Sequence, residues 1–170
     1  MEAISKVLQQ YKRNTALSAT IYHHFMEQLE ASIHCFSEIE GTGTTFEFLK
    51  KKGVKIGIGS GLPLSFMQLI VQHLGWNPLT FDYMNSSDQL PEGRPSPVMI
   101  TDAMDKLGIS NPEFILKIGD TKVDILEGKN ASAKTAWVQT GTQRKEDLDG
   151  LDPDFIFNDV GEIIQLFQTI

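Results

Sequence analysis

Through the first 52 residues the apolar positions recur at helical spacing, and beyond Gly53 they gather into short β-type runs. Ala3, Ile4, Val7 and Leu8 mark one face of a short helix. Ser18 stands where it can cap a second helix, whose apolar face runs Ile21, Phe25, Leu29, Ile33 and Phe36, widened by Met26. Gly41 ends that pattern. Thr42 or Thr44 can cap a third helix, which carries Phe46 and Leu49 and closes on Lys50, Lys51 and Lys52, cations suited to a helix C-terminus. Val54 to Ile58 then reads as a strand, and Pro63 opens an apolar-periodic helix through Leu74. Further strands are predicted over 79–83, 114–118, 135–139 and 155–157, and further helices over 97–107, 122–131 and 159–167. Strands alternating with helices of this length predict an α/β fold: βαβ units forming a parallel sheet with helices on both faces. The change of texture near Gly53 is the one candidate domain boundary.

Composition narrows the classes without choosing among them. The chain has 170 residues, enough for one core, and 41% hydrophobic against 22% charged residues is too apolar for a disordered chain. A net charge of −7, with no cationic run beyond Lys50 to Lys52, argues against nucleic acid as a partner. No apolar stretch approaches the roughly 20 residues that span a bilayer, so no membrane is expected. The first 14 residues lack an apolar signal segment. The single cysteine, Cys35, forms no internal disulfide and fits a reducing cytoplasm.

Ligands of an open parallel sheet bind beyond the carboxyl ends of its strands, and three polar clusters fall there. Asp120 follows the apolar run Ile115-Leu116-Lys117-Ile118, and Asp124 lies in the first turn of the next helix. Two carboxylates so close suit Mg²⁺; alternatively, they cap the helix and complement its dipole. Ser60, in Gly57-Ile58-Gly59-Ser60-Gly61-Leu62-Pro63, offers a hydroxyl and backbone N–H groups to an anion at a helix start. A dinucleotide fingerprint with Asp82 as the ribose acid is a remote rival, since Leu62 or Leu64 stands where it needs glycine. Arg94, in Gly93-Arg94-Pro95-Ser96-Pro97, is held by a stiff loop and fitted to bidentate phosphate recognition.

In this order and spacing the three clusters resemble the haloacid dehalogenase superfamily of phosphohydrolases, and within it the phosphonatase-like branch. The likeness is densest from Gly93 to Thr142 and extends back through Gly53–Gly61 and Glu40-Gly41 and forward through Asp154–Phe157. It implies a Rossmann-like core over 41–170 and the remnant of a helical cap over 1–40. By this resemblance Ser60 and the Gly61 N–H bind the transferring phosphoryl group, Arg94 orients the nucleophile and neutralises phosphate charge, and Asp120 with Asp124 holds Mg²⁺. The implied chemistry is hydrolysis of a small phosphorylated or phosphonylated metabolite through an aspartyl intermediate.

That mechanism needs a first motif with a nucleophilic aspartate at the end of an opening central strand. Residues 1–53 contain no aspartate; their acids are Glu2, Glu27, Glu30, Glu38, Glu40 and Glu47. Gly41-Thr42-Gly43-Thr44-Thr45 lacks the lysine of a phosphate-binding loop. The expectation is therefore a chain without its first strand and nucleophile. It is a truncated hydrolase, a domain that binds phosphate, Mg²⁺ or a partner without catalysis, or one completed by another chain or a homo-oligomer. The branch's Schiff-base lysine would fall before Met1, so neither Lys6 nor Lys12 takes that role. His23, His24, His34, His73 and Cys35 show no ligand or nucleophile spacing, Trp76 and Trp137 read as packing residues, and Lys50 to Lys52, Asp102 and Asp105 read as solvated.

Overall fold

A computed structural model describes residues 2–167, which fall into two compact units parting between Phe36 and Ser37. In the first unit, α1 (Glu2–Gln10) is followed by a 3₁₀ turn at Thr15–Leu17 and by α2 (Ser18–Ala31). The Asn14 side chain caps the turn by accepting from the Ala16 N–H. Ser18 is the first residue of α2 rather than its cap; its hydroxyl donates to Thr15 O and lies 2.8 Å from the Ser5 hydroxyl. The predicted stripe of α2 ends early: the helix stops at Ala31, Ile33–Cys35 form a 3₁₀ turn, and Phe25 is 47% exposed.

The second unit carries α3 (Thr42–Lys51), β1 (Gly57–Ser60), α4 (Leu64–His73), β2 (Tyr83–Ser86), α5 (Val98–Leu107), β3 (Leu116–Gly119), α6 (Lys122–Asn130), β4 (Lys134–Val138) and β5 (Phe155–Phe157). A 3₁₀ helix, Val160–Phe167, follows where an α-helix is predicted. Gly41 enters α3 with φ of +85°, a conformation that glycine adopts without steric cost, and stands at the N-cap position expected of a threonine. Every strand pair is parallel, and the strands form two sheets, β1–β2 and β3–β4–β5. Leu116 and Ile118 join Ala136, Val138 and Phe157 in packing against Ile163 of the closing 3₁₀ helix. Lys117, of opposite parity, points to α6 on the other face.

The strand predicted over 79–83 lies at Tyr83–Ser86 instead. Asn77 Oδ1 accepts from the Leu79 N–H at 2.9 Å and Asn77 O from the Thr80 N–H at 2.7 Å, which turns the chain and leaves Leu79 83% exposed. Asp82 is not a ribose acid. It lies before β2, at the amino end of the sheet, and its carboxylate accepts from the Ile56 N–H and pairs with Lys50 at 2.7 Å and Lys55 at 3.4 Å. Lys50 is thus an ion-pair partner, not a solvated helix end. Asp102 likewise accepts from the Tyr83 hydroxyl and Asn85 Nδ2, each at 2.8 Å. Burial and then Asp102 push the Tyr83 pKa up to about 12.

Candidate phosphate site

Ser60 is the last residue of β1, and its Oγ accepts from the Leu62 N–H at 3.1 Å, folding the Gly61–Leu62 turn across the strand end. Ser86, which ends β2, donates its hydroxyl to Leu62 O and fixes the same turn from beside it. Asp88 caps the start of α4 by accepting from the Leu64 N–H. That donor is spent inside the protein.

Arg94 closes over this turn. A methyl group built on Gly61 would lie 3.3 Å from Arg94 Nη2, which places the guanidinium directly above the glycine. Its Nη1 donates to Asp124 Oδ1 at 2.8 Å. The loop is held from below by Asn130 Nδ2, which donates to Pro95 O at 2.8 Å. Ser60, Gly61, Arg94 and Asp124 therefore converge at the carboxyl ends of β1 and β3, as expected of a ligand site on parallel strands.

Asp124 forms a full capping box with Thr121: Thr121 Oγ1 accepts from the Asp124 N–H at 3.3 Å and Asp124 Oδ2 accepts from the Thr121 N–H at 3.2 Å, while the Thr121 hydroxyl also donates to Oδ2 at 2.6 Å. Oδ1 faces Arg94 and, at 3.3 Å, Lys117 Nζ. Burial acts to raise the Asp124 pKa, but Lys117, the Thr121 hydroxyl and Arg94 together outweigh it and hold the carboxyl below its ordinary value. Gly119 makes the approach possible, since a methyl there would fall 2.3 Å from Asp124 Cβ. Asp120 sits where predicted, immediately after β3, but turns elsewhere. Its backbone O accepts from Trp137 Nε1 at 3.0 Å, and its carboxylate lies against Gly141, where a methyl would meet Oδ2 at 1.9 Å. Trp137, expected only to pack, also sets the strand end.

These residues do not fit Mg²⁺ as arranged. Both oxygens of Asp124 are engaged by protein donors, which leaves Asp120 as the one carboxylate available, and a hard cation needs several oxygens. Among the described residues no group of three or more His, Cys, Asp or Glu side chains is placed to hold a metal.

The sequence reading passed over Lys117 and Glu127. Lys117 Nζ lies 2.9 Å from Glu127 Oε2, an ion-pair contact without hydrogen-bond alignment, and the Glu127 side chain is completely buried. A lysine interrupting the apolar run before Gly119 was the available signal. Lys117 Nζ, on β3, thus lies between Asp124 Oδ1 and Glu127 Oε2, one α6 turn further on.

A family model for haloacid dehalogenase-like hydrolases matches residues 1–138. The chain is 30% identical over 148 residues to a phosphonoacetaldehyde hydrolase of Bacteroides fragilis, covering 84% of this chain and 56% of that protein. It is 32% identical over 123 residues to a protein of the same name from Parabacteroides distasonis, covering 72% and 47%. The chain thus spans about half the length of the curated relatives it matches. Among solved structures, a hydrolase from Pseudomonas syringae superposes with a TM-score of 0.85 at 16% identity, over 98% of this chain and 76% of its own. A haloacid dehalogenase family hydrolase from Deinococcus radiodurans, with bound phosphate and sodium, gives 0.75 at 20% identity, over 98% and 74%. At those identities the structures speak for the fold, and the family match for descent: the chain belongs to the haloacid dehalogenase-like hydrolase family.

Proposed function

We propose that Ser60, Gly61 and Arg94 bind the phosphoryl or phosphonyl group of a small metabolite, in a hydrolase that transfers this group to an aspartate. The observation that carries the reading is the placement of the Arg94 guanidinium, anchored at one end on Asp124 and lying over the Gly61 turn with the other. Asp124 takes Nη1, so the remaining edge of the fork is aimed at the turn, where bidentate contact with a tetrahedral anion is favourable. The Ser60 oxygen already accepts from Leu62, which leaves its proton to donate to a phosphoryl oxygen. The Gly61 N–H adds a third donor. Together these groups neutralise the anion and fix its orientation, which is most of what phosphoryl transfer asks of a protein.

No residue of 1–53 has the chemistry of the aspartyl nucleophile, and we place that group on a segment outside these 170 residues. Residues 1–40 belong in this reading to a substrate-covering cap, and the cytoplasm is the compartment that suits a lone, exposed Cys35. Mg²⁺ is the family's expected cofactor, but Asp120 and Asp124 as arranged do not make its site, and no step here is assigned to it. A second reading, a phosphate- or partner-binding domain without catalysis, is favoured by the engagement of both Asp124 oxygens.

Inorganic phosphate titrated into the chain by calorimetry tests the proposal. Arg94→Lys loses the planar fork and should weaken binding about tenfold or more, with Ser60→Ala weakening it less. Equal affinity in wild type and Arg94→Lys would overturn the assignment. Turnover of p-nitrophenyl phosphate by the 170-residue chain alone would overturn the placement of the nucleophile.

A further inference from the structure

Beyond the carboxyl end of β4 the chain borders an open cleft of about 410 Å³. Gly141 to Glu146 line it, with the buried Trp137 at its base. Gly141 also lies against the Asp120 carboxylate, so the cleft adjoins the end of β3 and the candidate phosphate site. None of its lining is used by Ser60, Gly61, Arg94 or Asp124.

The wall of the cleft is anchored along its length. Gln143 Oε1 accepts from the Lys122 N–H at 2.6 Å, which ties the loop to the start of α6. Asp147 Oδ2 accepts from the Arg144 N–H at 2.8 Å. Leu148, 2% exposed, packs with Ile125 and Trp137 beneath. A loop fixed in this way on a strand and a helix holds its side chains where a ligand can meet them.

The charges in the cleft are unbalanced. Lys122 of α6 and Lys134 of β4 are paired with Asp149 and Asp154. Among the described residues Arg144 and Lys145 have no acidic partner, although Glu146 and Asp147 follow them directly and the chain carries a net charge of −7. The Asp147 carboxylate is spent on the Arg144 N–H, which leaves the guanidinium open. Among the described residues Glu146 is the one acid of the lining, so a single positive charge is left over. That balance matches a carboxylate better than a doubly charged phosphoryl group. The guanidinium fork suits a planar carboxylate, and the Thr142 hydroxyl and Gln143 amide nitrogen add donors.

We propose that the cleft beyond β4 is a second anion subsite, in which Arg144 and Lys145 take the carboxylate at the far end of a metabolite whose phosphoryl or phosphonyl group is held by Ser60, Gly61 and Arg94. The inference rests on the phosphate reading for the first anion and adds the class of the group that departs, one that ends in a carboxylate. Arg94 is bonded to Asp124 beyond β3, and β4 stands about 4.8 Å from β3, so the two anions lie on the order of 5–10 Å apart. The cleft has room for the carboxylate and the short chain that leads to it.

Calorimetry on the whole 170-residue chain tests this with inorganic phosphate, butylphosphonate and the phosphonocarboxylates from phosphonopropionate to phosphonohexanoate. We expect the best phosphonocarboxylate to bind about tenfold or more tighter than butylphosphonate, which has no carboxylate. Arg144→Gln combined with Lys145→Gln should abolish that gain and leave the affinities for phosphate and butylphosphonate unchanged. Both side chains are exposed, so the variant should melt with the wild type; if it does not fold, Arg144→Gln alone decides. No gain in the wild type, or a gain retained in the variant, would overturn the proposal, as would an equal loss for phosphate. Glutarate separates the two readings. If the wild type binds glutarate, the variant does not, and neither binds phosphate, only the reading of Ser60 and Arg94 fails. Phosphate bound through Arg94, with phosphonocarboxylates indifferent to Arg144→Gln, would refute only this subsite.

Discussion

Neutralising Asp124 separates two roles that one carboxylate can play at the end of β3. Its side chain is 7% exposed and bonded to Arg94, Lys117 and Thr121. Asp124→Asn keeps the shape and an acceptor for the Thr121 capping contacts but removes the charge that faces two cations. Removing one partner of a buried pair costs about 3–5 kcal/mol. Here the figure is discounted, because Lys117 keeps Glu127 and the Arg94 side chain, 28% exposed, regains water. The expected loss is about 2–3 kcal/mol, and Asp124→Ala, which also loses the cap, should add about 1. Against a total stability of about 5–15 kcal/mol this is large. Urea denaturation followed by circular dichroism at pH 7, without added metal, measures it as a lower midpoint at unchanged slope. The pH dependence gives a second reading. Because the folded-state pKa is lowered, the stabilisation is complete above the unfolded value of about 3.9 and is lost as pH falls through the folded value. Asp124→Asn should lack that acid limb. If Asp124 were instead an unpaired ligand awaiting a cation, its neutralisation without metal would leave stability unchanged or raise it, and that result would refute the reasoning.

Two further outcomes follow from the same geometry. Gly141→Ala places a methyl 1.9 Å from Asp120 Oδ2, and the resulting overpacking of about 1–3 kcal/mol should lower the melting temperature by several degrees; an unchanged melt would show that the 120–141 contact is loose. Asp154 accepts from the Thr135 N–H and hydroxyl and pairs with Lys134; burial opposes ionisation, yet these partners hold its pKa down to about 2. Its contribution is therefore present above about pH 4 and disappears as pH falls toward 2, so Asp154→Asn should flatten the stability curve in that window, and an identical acid limb would count against the pairing.

The positions of the candidate site residues at strand ends and in a cap were legible because those signals are local. Ser60 and Asp120 each stand at the end of an apolar run, and Thr121 with Asp124 has the spacing of a cap. What stayed hidden depends on partners distant in sequence. Asp82 looked like a candidate ligand because its partners, Lys50, Lys55 and Ile56, come from α3 and the approach to β1. The displaced β2 reflects a contest between β propensity in Leu79 to Tyr83 and the Asn77 turn, which the turn won. Lys117 and Glu127 lie ten positions apart on different elements, and only the packing of α6 on β3 brings them together. That no β-type run precedes Val54 was readable in the sequence, and among the described residues the first strand is Gly57–Ser60; that β1 and β3 border a common cavity required the topology.

The indole bond from Trp137 to the Asp120 carbonyl also makes the protein optically self-reporting. The chain has two tryptophans, Trp76 and Trp137, and the second is 2% exposed with its N–H committed at the end of β3. Substituting Trp76 with phenylalanine would leave one emitter, whose colour and quenching follow the polarity around Asp120. Events at the carboxyl end of the sheet could then be followed by emission in real time, without an attached dye and without turnover.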